Sequence, residues 1–326
     1  MMNKERKNII KNNEISQIYS FNLGGYTQKV LIEGKSKELP VVITLHGGPG
    51  TPIPFSVGCR GMFPSFTNNF IMVYWDQLGC GINNYKITND FSIKDFVNMT
   101  QDLIAEVKKI FINNKIFIFS TSWGSVLSAL VLEKCENKID GVVVCGQILK
   151  NLFFNDIVIE NLENSNIPKA KLEIIKKTNS NNATSKELQL VSKCLTKYTN
   201  AYNNKNGKQA PTGEVIKGLL TSPDYKFKDF KAIMINGYRK NTSIWNELLK
   251  IDLTNILINI NIPYIILQGD TDIVAYTQGI KDLVEKSNNK NLKCYIVKNT
   301  GHLPGIEMME KIQNKLIELS TMIYKI

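Results

Sequence analysis

Apolar residues follow two rhythms along this chain, and the alternation between them outlines a fold. Short unbroken apolar runs recur as PVVITL at 40–45, FIMVYW at 70–75, KIFIF at 115–119, GVVVCG at 141–146, PYIILQG at 263–269 and LKCYIVK at 292–298. The first two predict strands buried on both faces, and the other four predict strands. Residues 17–33 predict two further strands joined at Gly24-Gly25. Between the runs the spacing turns helical. Over 92–111, Ser92 and Asp95 form a cap, and Phe96, Met99, Leu103, Val107 and Ile110 share one face. Val126 to Cys135, the stretch near 275–287 and the chain from about 306 predict helices as well.

The pattern changes from about 148 to 250. KAKLEIIKK and SKELQLVSKCLTKY are amphipathic, NNKNGKQAPTG at 203–213 reads as a loop, and no run predicts a buried strand. Strands alternating with helices predict an α/β protein with a mostly parallel sheet flanked by helices. The helical block is then an insertion, expected as a cap over the carboxyl ends of the strands, where ligands bind in open α/β sheets. The expected division is a core of 1–147 and 251–326 with a helical cap at 148–250. No internal repeat is visible.

Composition narrows the class. A chain of 326 residues, 43% hydrophobic and 21% charged, can bury a sizeable core without a disulfide or metal staple. The six cysteines, at 59, 80, 135, 145, 194 and 294, form no C-x-x-C pair and no cluster with histidine. They read as small buried hydrophobes in a reducing compartment, so no metal is expected. The basic N-terminus is not followed by the apolar stretch of a signal peptide, and no run reaches the length of a membrane span. The expectation is a cytoplasmic protein with no membrane partner. A formal net charge of +11 invites a nucleic-acid reading. The lysines are scattered and no recognition module is present, so no nucleic-acid partner is expected.

The candidate chemistry lies at strand ends. Ser122, in STSWG at 120–124, sits between a strand and a helix in a pattern resembling G-x-S-x-G. A strand-to-helix elbow strains its central residue and needs small neighbours two positions away, here Ser120 and Gly124. Ser120 and Ser125 are the rival hydroxyls, but neither is flanked in that way. His46-Gly47-Gly48-Pro49-Gly50 follows a buried strand and predicts a tight turn whose backbone can approach a ligand. Acyl transfer needs two N–H donors aimed at a developing oxyanion, assigned here to Gly48 and Trp123. A serine hydroxyl also needs a base. The chain has two histidines; His46 is assigned to shaping the turn, which leaves His302 in NTGHLPG. The acid that orients it is Asp272 in QGDTD, with Asp270 as the alternative.

In order and spacing, HGGPG, YWDQLGCG, STSWGS, LQGDTD and GH resemble the blocks of the α/β-hydrolase fold, and within it the proline iminopeptidase type of serine peptidase. The resemblance runs from about residue 20 to the C-terminus and is weakest over 150–240. It implies a Ser122–Asp272–His302 triad, a Gly48/Trp123 oxyanion site, a cis Gly48-Pro49 bond and no cofactor. The implied activity is removal of an N-terminal residue, often proline, from short peptides. Leu78 stands where the family has arginine, Ser120 replaces a glycine, and Ile273 occupies a position where some members carry a glutamate.

An aminopeptidase must hold an α-ammonium, so at least one cap carboxylate is expected to face Ser122. Glu160, Glu163 and Glu214 are the candidates for substrate binding. A cleft without one favours an esterase or amidase acting on a small acyl compound. A non-catalytic relative that only binds a small ligand is a further alternative.

Overall fold

The computed structural model describes residues 3–181, 183–203, 206–208, 212–235, 238 and 241–323. Eight strands form one sheet: β1 (Ile15–Leu23), β2 (Tyr26–Gly34), β3 (Val41–Leu45), β4 (Ile71–Trp75), β5 (Ile116–Thr121), β6 (Gly141–Cys145), β7 (Tyr264–Gly269) and β8 (Leu292–Val297). The helices are α1 (Lys4–Asn12), α2 (Pro64–Thr67), α3 (Ile93–Ile110), α4 (Trp123–Cys135), α5 (Asp156–Glu163), α6 (Lys169–Lys177), α7 (Ser185–Tyr198), α8 (Thr212–Leu220), α9 (Phe227–Met234), α10 (Thr242–Lys250), α11 (Thr254–Ile258), α12 (Thr277–Ser287) and α13 (Ile306–Ile323).

The spatial order is β1-β2-β4-β3-β5-β6-β7-β8. β1 pairs antiparallel with β2, and β2 with β4; every other pairing is parallel. Strands β3 to β7 are buried along their whole length. Successive side chains point to opposite faces, and the core divides accordingly. Val41, Ile43 and Leu45 join Val73, Ile116, Ile118, Val142 and Val144 in one apolar layer, packed against α3 and α4. Val42 joins Met72, Phe117, Phe119 and Val143 in the other, which α13 covers with Met308, Ile312, Leu316 and Leu319. Two covered faces are why these strands read as unbroken apolar runs.

The predicted caps and helices recur with small shifts. Asp95 accepts a 2.8 Å bond from the Ser92 N–H at the start of α3. KAKLEIIKK is α6 and SKELQLVSKCLTKY is α7. Between β6 and β7 the described residues form helices α5 to α11 and no strand. Of the loop expected over 203–213, residues 204–205 and 209–211 lie outside the described residues, and α8 begins at Thr212. Helix α1 precedes the first strand and is capped by the Asn3 side chain, which accepts from the Arg6 N–H. It is held by Arg6, whose buried guanidinium donates to the carbonyls of Gly58, Arg60 and Gly218. All six cysteines are free thiols, five of them buried. No helix among the described residues is long and apolar enough to cross a membrane.

Candidate active site

Four loops at the carboxyl ends of parallel strands meet at one point. They follow β3, β5, β7 and β8. Ser122 lies between the end of β5 and the first residue of α4 with φ 49° and ψ −118°. That is a strained backbone for a residue bearing a Cβ, costing about 1–3 kcal/mol. The reason for glycine at 124 is steric: a Cβ there would lie 2.0 Å from the Leu45 carbonyl oxygen. The rival hydroxyls are engaged elsewhere. Ser120 Oγ lies 3.0 Å from Ser128 Oγ, and Ser125 Oγ accepts from the Ile148 N–H at 3.0 Å.

His302 joins two partners. Its Nε2 is 2.8 Å from Ser122 Oγ and its Nδ1 is 2.7 Å from Asp272 Oδ2. The other Asp272 oxygen accepts from the N–H groups of Val274 and Ala275, both at 2.9 Å. These bonds fix the carboxylate plane, and the carboxylate in turn orients the imidazole. Asp270 is turned away. It accepts from the N–H groups of Asn299 and Thr300, both at 3.0 Å, and so ties the loop after β8 to the loop after β7. Of the two alternative acids, Asp272 is the one in contact with His302.

The turn after β3 has a cis Gly48-Pro49 bond and positive φ at Gly48 (119°) and Gly50 (81°). Gly48 admits no side chain, since a Cβ would meet Gly50 N at 2.7 Å. His46 is buried beneath the turn. Its Nε2 accepts from the Gln77 N–H at 3.0 Å, so Nδ1 carries the proton and donates to the Gly47 carbonyl at 2.9 Å. Burial pushes this imidazole down to about 4, which keeps it neutral. The Gln77 amide then bridges two elements. It donates to the His46 carbonyl at 3.2 Å and accepts from the Trp123 indole N–H at 2.8 Å. Trp123 opens α4, so its backbone N–H has no intrahelical acceptor.

A cavity of about 470 Å³ opens over Ser122 and His302. Its floor includes Gly47, Gly48 and Thr121. The chain between β6 and β7 supplies most of its walls, with Leu152, Phe153, Leu188, Tyr202 and Trp245. Tyr202 packs edge-on against the His302 ring, centroids 5.8 Å apart, and its hydroxyl lies 3.0 Å from Ser192 Oγ. The Ala201 and Tyr202 carbonyls accept from the His302 and Leu303 N–H groups at 2.7 and 2.9 Å. Sequence reasoning missed Tyr202, which sits in a stretch without motif or periodicity. It also missed the bridging of Gln77, although YWDQLGCG had marked that segment.

The expected cap carboxylate, sought at Glu160, Glu163 and Glu214, is not among the described residues that line the cavity. No aspartate or glutamate lines the cavity among the described residues. Glu160 is exposed on α5, between the buried Val158 and Leu162 and so on the opposite side of the helix. Glu163 is exposed and ion-paired with Lys176. Glu214, on α8, lines a separate hollow with Asn3 and Lys217. Among the described residues that line the cavity, Lys193 is the one with a formal charge. Among the described residues no group of three or more His, Cys, Asp or Glu could hold a metal ion.

The family profile described as the alpha/beta hydrolase fold matches residues 40–307. The chain belongs to this family. The probable aminopeptidase YbaC of Bacillus subtilis is 24% identical over 323 residues, covering 96% of each chain. A proline iminopeptidase of Thermoplasma volcanium is 23% identical over 296 residues, covering 85% of this chain and 87% of its own. The solved proline iminopeptidase of Mycobacterium smegmatis shares the hydrolase fold with a TM-score of 0.63 at 14% identity, covering 94% of this chain and 98% of that one.

Proposed function

We propose that the protein is a serine hydrolase acting through Ser122, His302 and Asp272. The observation that carries this reading is the pair of short contacts that runs from Asp272 through His302 to Ser122. Ser122 Oγ attacks the substrate carbonyl carbon while His302 Nε2 takes its proton. The carbonyl oxygen becomes an oxyanion held by the backbone N–H groups of Gly48 and Trp123. The C–O or C–N bond to the leaving group then breaks, and His302 returns the proton to that group. Water, deprotonated by His302, then attacks the acyl-serine ester, the ester bond breaks to free the acid, and His302 returns the proton to Ser122 Oγ. No metal or cofactor enters these steps. In the same reading, 1–147 and 251–326 are the catalytic core, and 148–250 is a cap that closes the substrate cavity.

The cavity argues for a small ester or amide whose acyl part is apolar and uncharged. Ile148, Leu152, Phe153, Leu188 and Trp245 supply the apolar wall, and no carboxylate among the described residues lines the cavity to hold an α-ammonium. A second reading, a proline iminopeptidase-type aminopeptidase, is favoured by the aminopeptidase names of relatives that align over most of the chain.

Two assays separate these readings. A fluorophosphonate probe labels wild-type protein, and the label is lost in Ser122→Ala; an unlabelled wild type would leave a non-catalytic binder. Butyryl 4-nitrophenyl ester turned over faster than prolyl 4-nitroanilide supports the uncharged acyl group, and the reverse order supports the aminopeptidase.

A further inference from the structure

Helix α7 offers the mouth of the Ser122 cavity two donors that nothing else among the described residues takes. Gln189 and Lys193 both line the cavity and both are exposed. Four positions apart on a helix, they are neighbours on one face, with Cβ atoms about 6 Å apart. Neither side chain has a hydrogen bond or ion pair among the described residues. Ser192, on the same wall, is by contrast engaged with Tyr202. A lysine on a solvated helix is ordinary in a chain with 40 lysines and arginines. What sets Lys193 apart is its place in the wall of a largely apolar cavity where no carboxylate among the described residues supplies a counter-charge, beside a second donor without a partner among those residues.

The pair also has a definite side. Lys193 adjoins Ser192, whose hydroxyl meets Tyr202, and Tyr202 packs on the ring of His302. His302 Nε2 hands a proton to the departing group, so substrate atoms extending past that wall belong to the leaving group. We propose that Gln189 and Lys193 form a carboxylate subsite for the leaving group, and that the substrates are amides whose departing amine carries a free carboxylate. N-acyl amino acids and dipeptides have that chemistry. An ammonium and an amide N–H directed at one carboxylate give charge-assisted hydrogen bonds. This inference rests on the serine-hydrolase reading and narrows its substrate.

The test compares matched pairs: N-butyrylglycine against N-butyrylglycinamide, and prolylglycine against prolylglycinamide, read as release of glycine or glycinamide. Wild type is expected to prefer the acid by about tenfold in kcat/KM, the equivalent of one well-placed charged contact. Lys193→Gln brings that ratio close to one, Lys193→Glu inverts it, and added salt lowers it in wild type. An acid-to-amide ratio near one in wild type, or the same ratio in wild type and Lys193→Gln, overturns the subsite. Binding to Ser122→Ala, measured by calorimetry, keeps the two readings apart. Tighter binding of the acid that disappears on adding Lys193→Gln supports the subsite even if no substrate is turned over, an outcome that would end the hydrolase reading alone. Equal binding of acid and amide to Ser122→Ala counts against the subsite whatever the turnover.

Discussion

The Gln77 side chain accepts a 2.8 Å hydrogen bond from the Trp123 indole N–H while donating to the His46 carbonyl. One buried amide therefore ties the start of α4 to the glycine turn after β3. Those are the two segments whose backbone N–H groups are assigned to the oxyanion. Gln77 is a positioning residue, since it touches no substrate. Gln77→Leu is expected to lower kcat by roughly 10–100-fold with little change in KM, because donors misplaced for the oxyanion weaken the transition state and leave the ground state alone. Steady-state kinetics on an ester substrate, beside thermal unfolding, checks this. A matched rise in KM with unchanged kcat would assign Gln77 to substrate binding instead.

Ser122→Ala and His302→Ala are each expected to abolish turnover while circular dichroism and melting temperature stay close to wild type. Asp272→Asn retains the geometry but loses the orienting charge, and kcat should fall by about 10⁴. Asp270→Asn should affect stability more than rate, since Asp270 binds loop amides and not His302. An Asp270→Asn rate loss as large as that of Asp272→Asn would reverse their roles.

Gly124→Ala should be among the most damaging single-methyl substitutions in the chain. The added Cβ would sit 2.0 Å from a backbone carbonyl oxygen of β3, which cannot swing away as a side-chain tip would. The elbow must shift, at a cost of more than about 2 kcal/mol. Urea unfolding measures it, and a variant of wild-type stability and activity would mean that the elbow has room the present packing does not show.

Buried His46 should make the protein acid-labile. Its folded value of about 4 lies below the ordinary 6.5, so between those values the unfolded chain binds a proton that the folded chain refuses. Stability contributed by the neutral imidazole is whole above pH 6.5 and is lost as pH falls toward 4, on the order of 3 kcal/mol in total. Buried Asp76 acts in the opposite sense, since burial raises its carboxyl from 3.8 to about 6 and stability falls as pH rises through that range. The wild type should therefore lose more stability than His46→Gln between pH 7 and pH 4.5 in urea titrations. Parallel losses in the two proteins would show that His46 is not the acid-sensitive group.

Much of the frame was legible before any coordinates. Continuous apolar runs such as VVITL and GVVVC mark strands covered on both faces, because a polar side chain pointing into either layer must find a partner there, as Thr44 does at the Val73 carbonyl. The elbow was legible for a related reason: a strained serine between strand and helix needs glycine close by, and steric need leaves its trace in residue identity. Ser122 and Gly48 were found in that way.

Other choices were not written in the chain. Asp270 and Asp272 are two positions apart in one loop and chemically identical. Only the folded backbone turns one toward loop amides and the other toward His302. The glutamates of α5 and α8 looked suitable for an ammonium, but the direction a helical side chain takes depends on which face the helix buries. Glu160 ended on the solvent side because Val158 and Leu162 face inward. Residue type and spacing thus determined strands, turns and the kinds of chemistry at hand, because those follow from local sterics and burial. Which side chains share the cavity was decided by tertiary packing, because it depends on helix rotation and on contacts between loops more than a hundred residues apart.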